Sequence, residues 1–102
     1  MADVGRGTTP FCTYQTDIDL STAEVIYVTF KQGSKVVLEK AVEDLDVTPT
    51  EISIHLTQEE TLALNWRQEL RMQIRARFPD GTAVKSNIMI GNVGEILKDG
   101  EI

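Results

Sequence analysis

The chain has 102 residues and a mass of 11.4 kDa, which is enough for one hydrophobic core and too little for two. Its composition, 41% hydrophobic and 25% charged, is that of an ordinary globular domain and excludes general disorder. The net charge of −6 argues against general affinity for nucleic acids or anionic membranes. The single cysteine, Cys12, excludes an internal disulfide and a multi-thiolate metal site.

The hydropathy pattern predicts a soluble protein made in the cytosol. The first ten residues contain no apolar stretch of signal-peptide length, and no run approaches the roughly 20 apolar residues of a membrane span. Residues 1–7 are polar, contain two glycines and lie at the terminus, so we predict a flexible segment there. Residues 8–102 are predicted to form a single domain.

The first half of the chain predicts an edge strand followed by a hairpin. Residues 8–14 form a candidate edge strand, because Pro10 cannot donate an amide hydrogen bond. Residues 24–32 (EVIYVTFKQ) alternate and are rich in β-branched and aromatic residues, which favours a central strand with two fairly apolar faces. A Gln-Gly-Ser turn then leads back into residues 35–41.

The middle of the chain predicts an acidic connection, a strand and a short helix. Residues 43–50 are acidic and contain Pro49, which breaks regular structure. Residues 51–56 (EISIHL) alternate cleanly, as in a half-buried strand. The next four residues, Thr57-Gln58-Glu59-Glu60, match the capping box, so one or two helical turns are expected to run to about Leu64.

The strongest period-two pattern covers residues 68–78, which are predicted to form a long strand with one wet face. The following Pro79-Asp80-Gly81 predicts a three-residue hairpin loop, since Pro presets the first dihedral and Gly accepts a positive φ. The returning strand is then residues 82–90. Pairing Phe78 with Thr82 places Ala76 opposite Val84, Ile74 opposite Ser86, Met72 opposite Ile88 and Leu70 opposite Ile90.

Together these elements predict an all-β fold. Six or seven short strands, one helical turn and frequent turn signals indicate an antiparallel β-sandwich of immunoglobulin-like type. The cysteine pair usual in immunoglobulin domains is absent. A small open barrel is the alternative, because strand number and spacing do not separate it from a sandwich.

Residues with catalytic or metal-binding potential are few. The one histidine, His55, lies at an outward position of a predicted strand, and a metal or catalytic site needs partners that the chain lacks. Cys12 has no neighbouring cation in sequence and is predicted to be a buried small apolar residue. The carboxylates from Glu43 to Glu51 do not match the spacing of a calcium loop. We therefore predict no enzymatic activity, no metal and no cofactor.

One charged surface stands out on the last predicted hairpin. Alternation places three arginines on its wet face, and the predicted register adds one lysine. The candidate protein-interaction residues are Arg71, Arg75, Arg77 and Lys85. Arginine suits interfaces because its guanidinium group binds a carboxylate through two donors. Neutralisation within the monomer, by Glu39, Glu69 or the acidic connection, is an equally supported alternative, and nucleic-acid binding is a distant third.

Three segments carry a resemblance to a known group of proteins. They are DIDLSTAEVIYVTFKQG, EISIHLTQEETLAL and QIRARFPDGTAVKSNIMIGNVGEILKDGEI, with LTQEET, IRARF, the Asp-Gly turn and ILKDGEI as the most specific parts. The chain resembles small β-sandwich proteins encoded among the structural and tail genes of tailed bacteriophages and of prophages of Gram-positive bacteria. That group has no catalytic motif, so the resemblance transfers no functional residue.

The resemblance implies a non-enzymatic virion or tail-associated protein. Its implied partners are other virion or tail proteins. The apolar second face of residues 24–32, together with the repeated subunits usual in virions, predicts a homo-oligomer, and the net charge predicts neither nucleic acid nor membrane as a partner. Its implied location is the host cytoplasm during assembly and then the virion. The alternative is a carbohydrate-binding or adhesion module of immunoglobulin-like fold, for which the candidate aromatic residues are Tyr14, Tyr27 and Trp66.

Overall fold

A computed structural model describes residues 3–102, which contain ten strand segments, one α-helix and one 3-10 turn. The strands are β1 (Val4–Gly5), β2 (Phe11–Gln15), β3 (Val25–Gln32), β4 (Lys35–Ala41), β5 (Leu45–Val47), β6 (Glu51–His55), β7 (Leu70–Arg77), β8 (Ala83–Lys85), β9 (Met89–Gly91) and β10 (Val93–Gly94). The helix α1 is Gln58–Leu62, and the 3-10 turn is Val42–Asp44.

The strands form two antiparallel sheets. The smaller sheet has the order β2-β6-β5, and the larger has the order β4-β3-β7-β8, with β9 also paired to β7. A separate two-stranded parallel ribbon joins β1 to β10. The predicted fold class, an antiparallel β-sandwich with one short helix, is confirmed.

The core lies between the two sheets and follows from alternation along the strands. In β3, Ile26, Val28 and Phe30 are buried, whereas the residues between them face outward. Ile52 and Ile54 of β6 contact this layer from the opposite sheet. The other buried apolar side chains are Val4, Leu20, Leu56, Leu64, Leu70, Met72, Ile74, Ala76 and Val93. Burial of each larger apolar side chain contributes about 1.5–3 kcal/mol.

The predicted capping box begins helix α1. The Oγ1 of Thr57 accepts a hydrogen bond from the amide of Glu60 at 3.2 Å, and the Oε1 of Glu60 accepts one from the amide of Thr57 at 2.9 Å. These reciprocal bonds satisfy two amides that the first helical turn leaves without partners. The helix ends after Leu62, and Leu64 then enters the core.

The β7–β8 hairpin has the predicted loop. The amide of Phe78 donates to the carbonyl of Thr82 at 2.8 Å, and Gly81 adopts a φ of 90°. Ala76 lies opposite Val84, as the register analysis predicts. Pro79-Asp80-Gly81 is therefore a three-residue connection.

The predicted register is wrong beyond Ser86. Met72 pairs with Met89, and Leu70 with Gly91, so the returning strand contains one extra residue. The amide of Ile74 donates its hydrogen bond to the Oγ of Ser86 at 2.9 Å and not to the Ser86 carbonyl. The main chain can therefore turn away, which produces a β-bulge and divides the predicted strand into β8 and β9.

The bulge reverses the orientation of the residues that follow it. The predicted register turns Ile88 and Ile90 toward the core, but in the structure they are 54% and 53% exposed. Met89 instead packs against the core. A shift of one residue has this effect because side chains alternate between the two faces of a strand.

Three short strands lie outside the predicted elements. β5 lies in the predicted acidic connection, where Asp46 faces Ser53 of β6. β1 and β10 form the parallel ribbon, in which Val4 is buried and its amide donates to the carbonyl of Asn92 at 2.9 Å. This pairing differs from the flexible segment expected over residues 1–7; Met1 and Ala2 lie outside the described residues.

Candidate interaction face

The structure places all four candidate residues on the outer side of the larger sheet. In β7, Leu70, Met72, Ile74 and Ala76 are buried, and the residues between them face outward. Lys85 lies beside them on β8. We refer to Arg71, Arg75, Arg77 and Lys85 as the basic face.

The centre of the basic face is a pair of like charges. Arg75 lies directly opposite Lys85 on β8 and opposite Tyr27 on β3. Neither Arg75 nor Lys85 forms an ion pair with any residue in the segment 3–102. Like charges directly opposite each other destabilise a sheet, so this pair lowers the stability of the isolated domain.

The two ends of the basic face have partners within the chain. At one end, Nη2 of Arg71 donates a hydrogen bond to the carbonyl of Gly33 in the β3–β4 turn. At the other end, Nη2 of Arg77 lies 3.7 Å from Oε1 of Glu24, and both side chains are more than half exposed. Exposed pairs of this kind contribute little stability. Within residues 3–102, an acid of the same chain therefore pairs with Arg77 at one end of the face, whereas Arg75 and Lys85 at its centre have no acidic partner.

The other acids proposed to neutralise the face make no ion pair with it. Glu39 lies on the same side of the sheet, and its Oε2 accepts a hydrogen bond from Thr29 at 3.2 Å. Glu69 and the acidic connection form no ion pair with a residue of the basic face in the described part of the chain.

Sequence reasoning missed the residues that flank the basic face. Lys31 of β3 lies opposite Arg71, and Tyr27, which is 46% exposed, lies opposite Arg75. On the other flank, Ile90 lies opposite Arg71, and Ile88 contributes to a small groove near Gln73. Aromatic side chains and arginine are enriched at protein interfaces. Only the β3–β7 pairing and the bulge bring these residues together, and neither has a local sequence signal.

Within residues 3–102, the other two candidate residues, His55 and Cys12, lie in separate surroundings with no catalytic partner. His55 is exposed and stacks on the ring of Phe11, with a centroid distance of 4.4 Å and an interplanar angle of 15°. Burial raises the pKa of the Cys12 thiol, and a hydrogen bond with Tyr14 opposes this only in part. A raised thiol pKa disfavours the thiolate that a nucleophile requires.

Residues 3–102 contain neither a candidate metal site nor a candidate membrane-spanning helix. Within residues 3–102, no three His, Cys, Asp or Glu side chains gather closely enough to hold a metal ion. The described part of the chain contains no helix with the length and apolarity needed to cross a membrane.

An open cleft of about 480 Å³ lies where the loop after β2 approaches β7 and β8. Its wall is largely apolar, with Leu20, Ile74 and Met89 among its residues, and Lys85 contributes to the lining as well. The Oγ1 of Thr16, also in the lining, is buried without a hydrogen-bond partner. Among the described residues that line this cleft, no nucleophile and base lie within hydrogen-bonding distance of each other.

The sheets and their registers define an antiparallel immunoglobulin-like β-sandwich. The chain matches no protein-family model, and a search of the curated proteins finds no match. Among solved structures, it is similar to the immunoglobulin-like domain of mouse leukocyte-associated immunoglobulin-like receptor 1, crystallised as a strand-swapped dimer. That likeness has 12% identity and a TM-score of 0.49, and covers 92% of this chain and 88% of the other.

A second similar structure is the V domain of amphioxus IgVJ-C2. The identity is 11% and the TM-score 0.39, with 93% of this chain and 100% of the other covered. Both likenesses concern the fold. The assignment of the basic face comes from the geometry of this chain.

Proposed function

We propose that this protein is a non-enzymatic structural subunit that acts through protein contacts made by its basic face. The observation that carries the proposal is the adjacent Arg75 and Lys85, which have no acidic partner within residues 3–102. A carboxylate from another protein would relieve their repulsion and gain two donors from the guanidinium group. The flanking Tyr27, Ile88 and Ile90 supply apolar area around the charges.

The proposed setting is the virion or tail of a tailed bacteriophage or prophage, with other virion or tail proteins as partners. The resemblance of the three sequence segments supports this setting. The protein would occupy the host cytoplasm during assembly and then the virion.

The test reverses the central charges and follows incorporation into particles. In a prophage that carries this gene, Arg75→Glu with Lys85→Glu is expected to reduce the amount of the protein in purified particles at least tenfold. The matched control is Lys35→Glu with Lys98→Glu, which changes the net charge equally at exposed positions outside the basic face. Equal incorporation of the reversed variant and the control would contradict the proposal, provided that both variants fold.

The carbohydrate-binding alternative has no supporting geometry among the described residues. Tyr27 lies on the outer side of the larger sheet, whereas Tyr14 packs against the core. Trp66 follows the helix and contacts Arg67, whose guanidinium carbon lies 5.1 Å from the ring centroid. A flat sugar-binding platform needs aromatic rings on one surface, and these three do not share one.

A further inference from the structure

The outer side of the smaller sheet has the opposite charge to the basic face. Strands β2, β5 and β6 contain no lysine or arginine. Asp46 lies opposite Ser53, and Glu51 lies opposite Gln15, on the side away from the core. We refer to the outward residues of this sheet as the acidic face; they are Phe11, Thr13, Gln15, Asp46, Glu51, Ser53 and His55.

The larger sheet concentrates the cations. Its outward strand positions hold Lys31 together with the four residues of the basic face, which is half of the ten cations in the chain. Glu39 is the one acid among the outward strand positions that these registers define. The two sheets therefore present surfaces of opposite sign.

The two surfaces point away from each other. The inner sides of both sheets contribute to one hydrophobic core, so their outer sides lie on opposite sides of the sandwich. The basic face of a molecule cannot contact its own acidic face. It can contact the acidic face of a second molecule.

We propose that the partner of the basic face is the acidic face of a second copy of this chain, so that copies stack in one direction. This inference rests on the proposed function and identifies its partner. The contact uses two different surfaces, so a stack keeps one free basic face at one end and one free acidic face at the other, to which further copies can bind. Such a heterologous contact produces a ring where the rotation closes and a filament where it does not.

Both faces also carry apolar side chains that suit the contact. On the acidic face, Phe11 is 67% exposed and stacks on His55. On the other side, Tyr27 and the isoleucines Ile88 and Ile90 flank the basic face. An interface that combines complementary charges with apolar area resembles known protein interfaces more closely than a purely ionic contact does.

The experiment uses two charge-reversed variants that are tested alone and mixed. The first variant, Arg75→Glu with Lys85→Glu, makes the centre of the basic face negative. The second, Asp46→Lys with Glu51→Lys, makes the acidic face positive. Sedimentation velocity of the wild type at low salt is expected to show association that weakens at least tenfold at high salt, because salt screens exposed charge pairs. Each variant alone is expected to remain a monomer, and an equimolar mixture to associate again.

A neutral pair of variants tests the direction of the stack. Arg75→Gln with Lys85→Gln keeps only the acidic face functional, and Asp46→Asn with Glu51→Gln keeps only the basic face. Their mixture is expected to stop at a 1:1 dimer, because each molecule retains one working surface. Circular dichroism and the thermal midpoint establish folding, and the neutral pair also replaces any reversed variant that does not fold.

Three results would overturn the inference: a wild type that is monomeric at high micromolar concentration and low salt, a variant that associates alone as well as the wild type, or a mixture that does not recover association. The particle experiment separates this failure from failure of the proposed function. A monomeric wild type whose incorporation still requires Arg75 and Lys85 would overturn self-stacking and leave contact with another acidic protein. Incorporation independent of these residues would overturn the proposed function itself.

Discussion

Gln32 is a buried amide that holds the loop after helix α1. Its side chain is 4% exposed, and its Nε2 donates to the carbonyls of Asn65 at 2.7 Å and Gln68 at 3.2 Å. Its Oε1 accepts a hydrogen bond from the amide of Asn65 at 2.9 Å. The side chain thus satisfies main-chain groups that no strand pairs.

Replacement of Gln32 by leucine is expected to destabilise the protein although the two side chains have similar volumes. The change removes the partner of the Asn65 amide and of the Gln68 carbonyl, whereas the Asn65 carbonyl keeps a hydrogen bond from the amide of Gln68. Loss of its partner costs a buried polar group about 1–3 kcal/mol. Urea denaturation measures the loss. Gln15→Leu, at an exposed position of β2, is the control and is expected to change stability by about 0.5 kcal/mol or less. Equal midpoints for the two variants would contradict the role assigned to Gln32.

Thr57→Ala is expected to lower the free energy of unfolding by about 1 kcal/mol, the usual cost of removing a threonine N-cap. The change removes the Oγ1 that accepts the Glu60 amide. Thr57→Ser keeps this acceptor and is expected to restore most of the stability. Chemical denaturation of the three proteins checks the order, and an unchanged midpoint for the alanine variant would show that the cap contributes nothing.

At the scale of the elements, one ion pair connects β4 to helix α1. The Nζ of Lys40 lies 2.6 Å from Oε2 of Glu60, and both side chains are largely shielded from solvent. Burial raises the pKa of Glu60, but hydrogen bonds from Lys40 and Thr57 outweigh this effect, so the net pKa lies below its ordinary value of 4.5. The ionised carboxylate therefore stabilises the folded state.

The lowered pKa of Glu60 predicts a loss of stability in acid. The contribution is fully present above the ordinary pKa of 4.5 and disappears as the pH falls through the lower pKa of the folded state. Lys40→Met is expected to destabilise the protein at pH about 7 and to differ less from the wild type at pH about 3. Urea denaturation at both pH values measures this difference, with Lys98→Met as an exposed control. A constant difference between wild type and Lys40→Met would refute the assignment.

The last hairpin shows which elements can be predicted from sequence. Pro79-Asp80-Gly81 acts through local backbone preferences, so its loop and the adjacent register are predictable. The bulge depends on the Ser86 hydroxyl, which accepts the hydrogen bond from the Ile74 amide in place of the Ser86 carbonyl. Period-two alternation of hydrophobic residues gives no information about such a hydrogen bond. The pattern therefore assigns Ile88 to the core side although the structure exposes it. Capping motifs and turns are local, whereas this exchange of acceptors requires the partner strand.

At the scale of the molecule, the four cations of the basic face could be predicted because they lie on neighbouring strands of one hairpin. Lys31 and Tyr27 could not, because β3 reaches β7 only through non-consecutive pairing. The acidic face had a sequence signal that alternation overlooks. Residues 7–30 and 41–66 contain no lysine or arginine, and they supply all three strands of the smaller sheet.

Lys85→Glu is expected to stabilise the isolated domain and to weaken its association. The change replaces a repulsive pair with an attractive one across from Arg75, which is worth about 0.2–1 kcal/mol. Denaturation of dilute protein measures the stability, and sedimentation of concentrated protein measures the association. Lys35→Glu serves as the control for the change in net charge. A variant that is less stable than the wild type would contradict the repulsion assigned to Arg75 and Lys85.

The parallel ribbon of β1 and β10 has a consequence for the order of folding. It joins Val4 to Val93, which are 89 positions apart, so its formation closes a loop that contains nearly every other contact of the domain. Closing so long a loop in an unfolded chain has an entropic free-energy cost that exceeds the stabilisation from the few contacts of two short strands. Contacts of high sequence separation also form slowly. The ribbon is therefore expected to form after both sheets, when the folded chain has already brought the two segments together. In hydrogen exchange, the amides of Val4 and Arg6 would then be among the first paired amides to open.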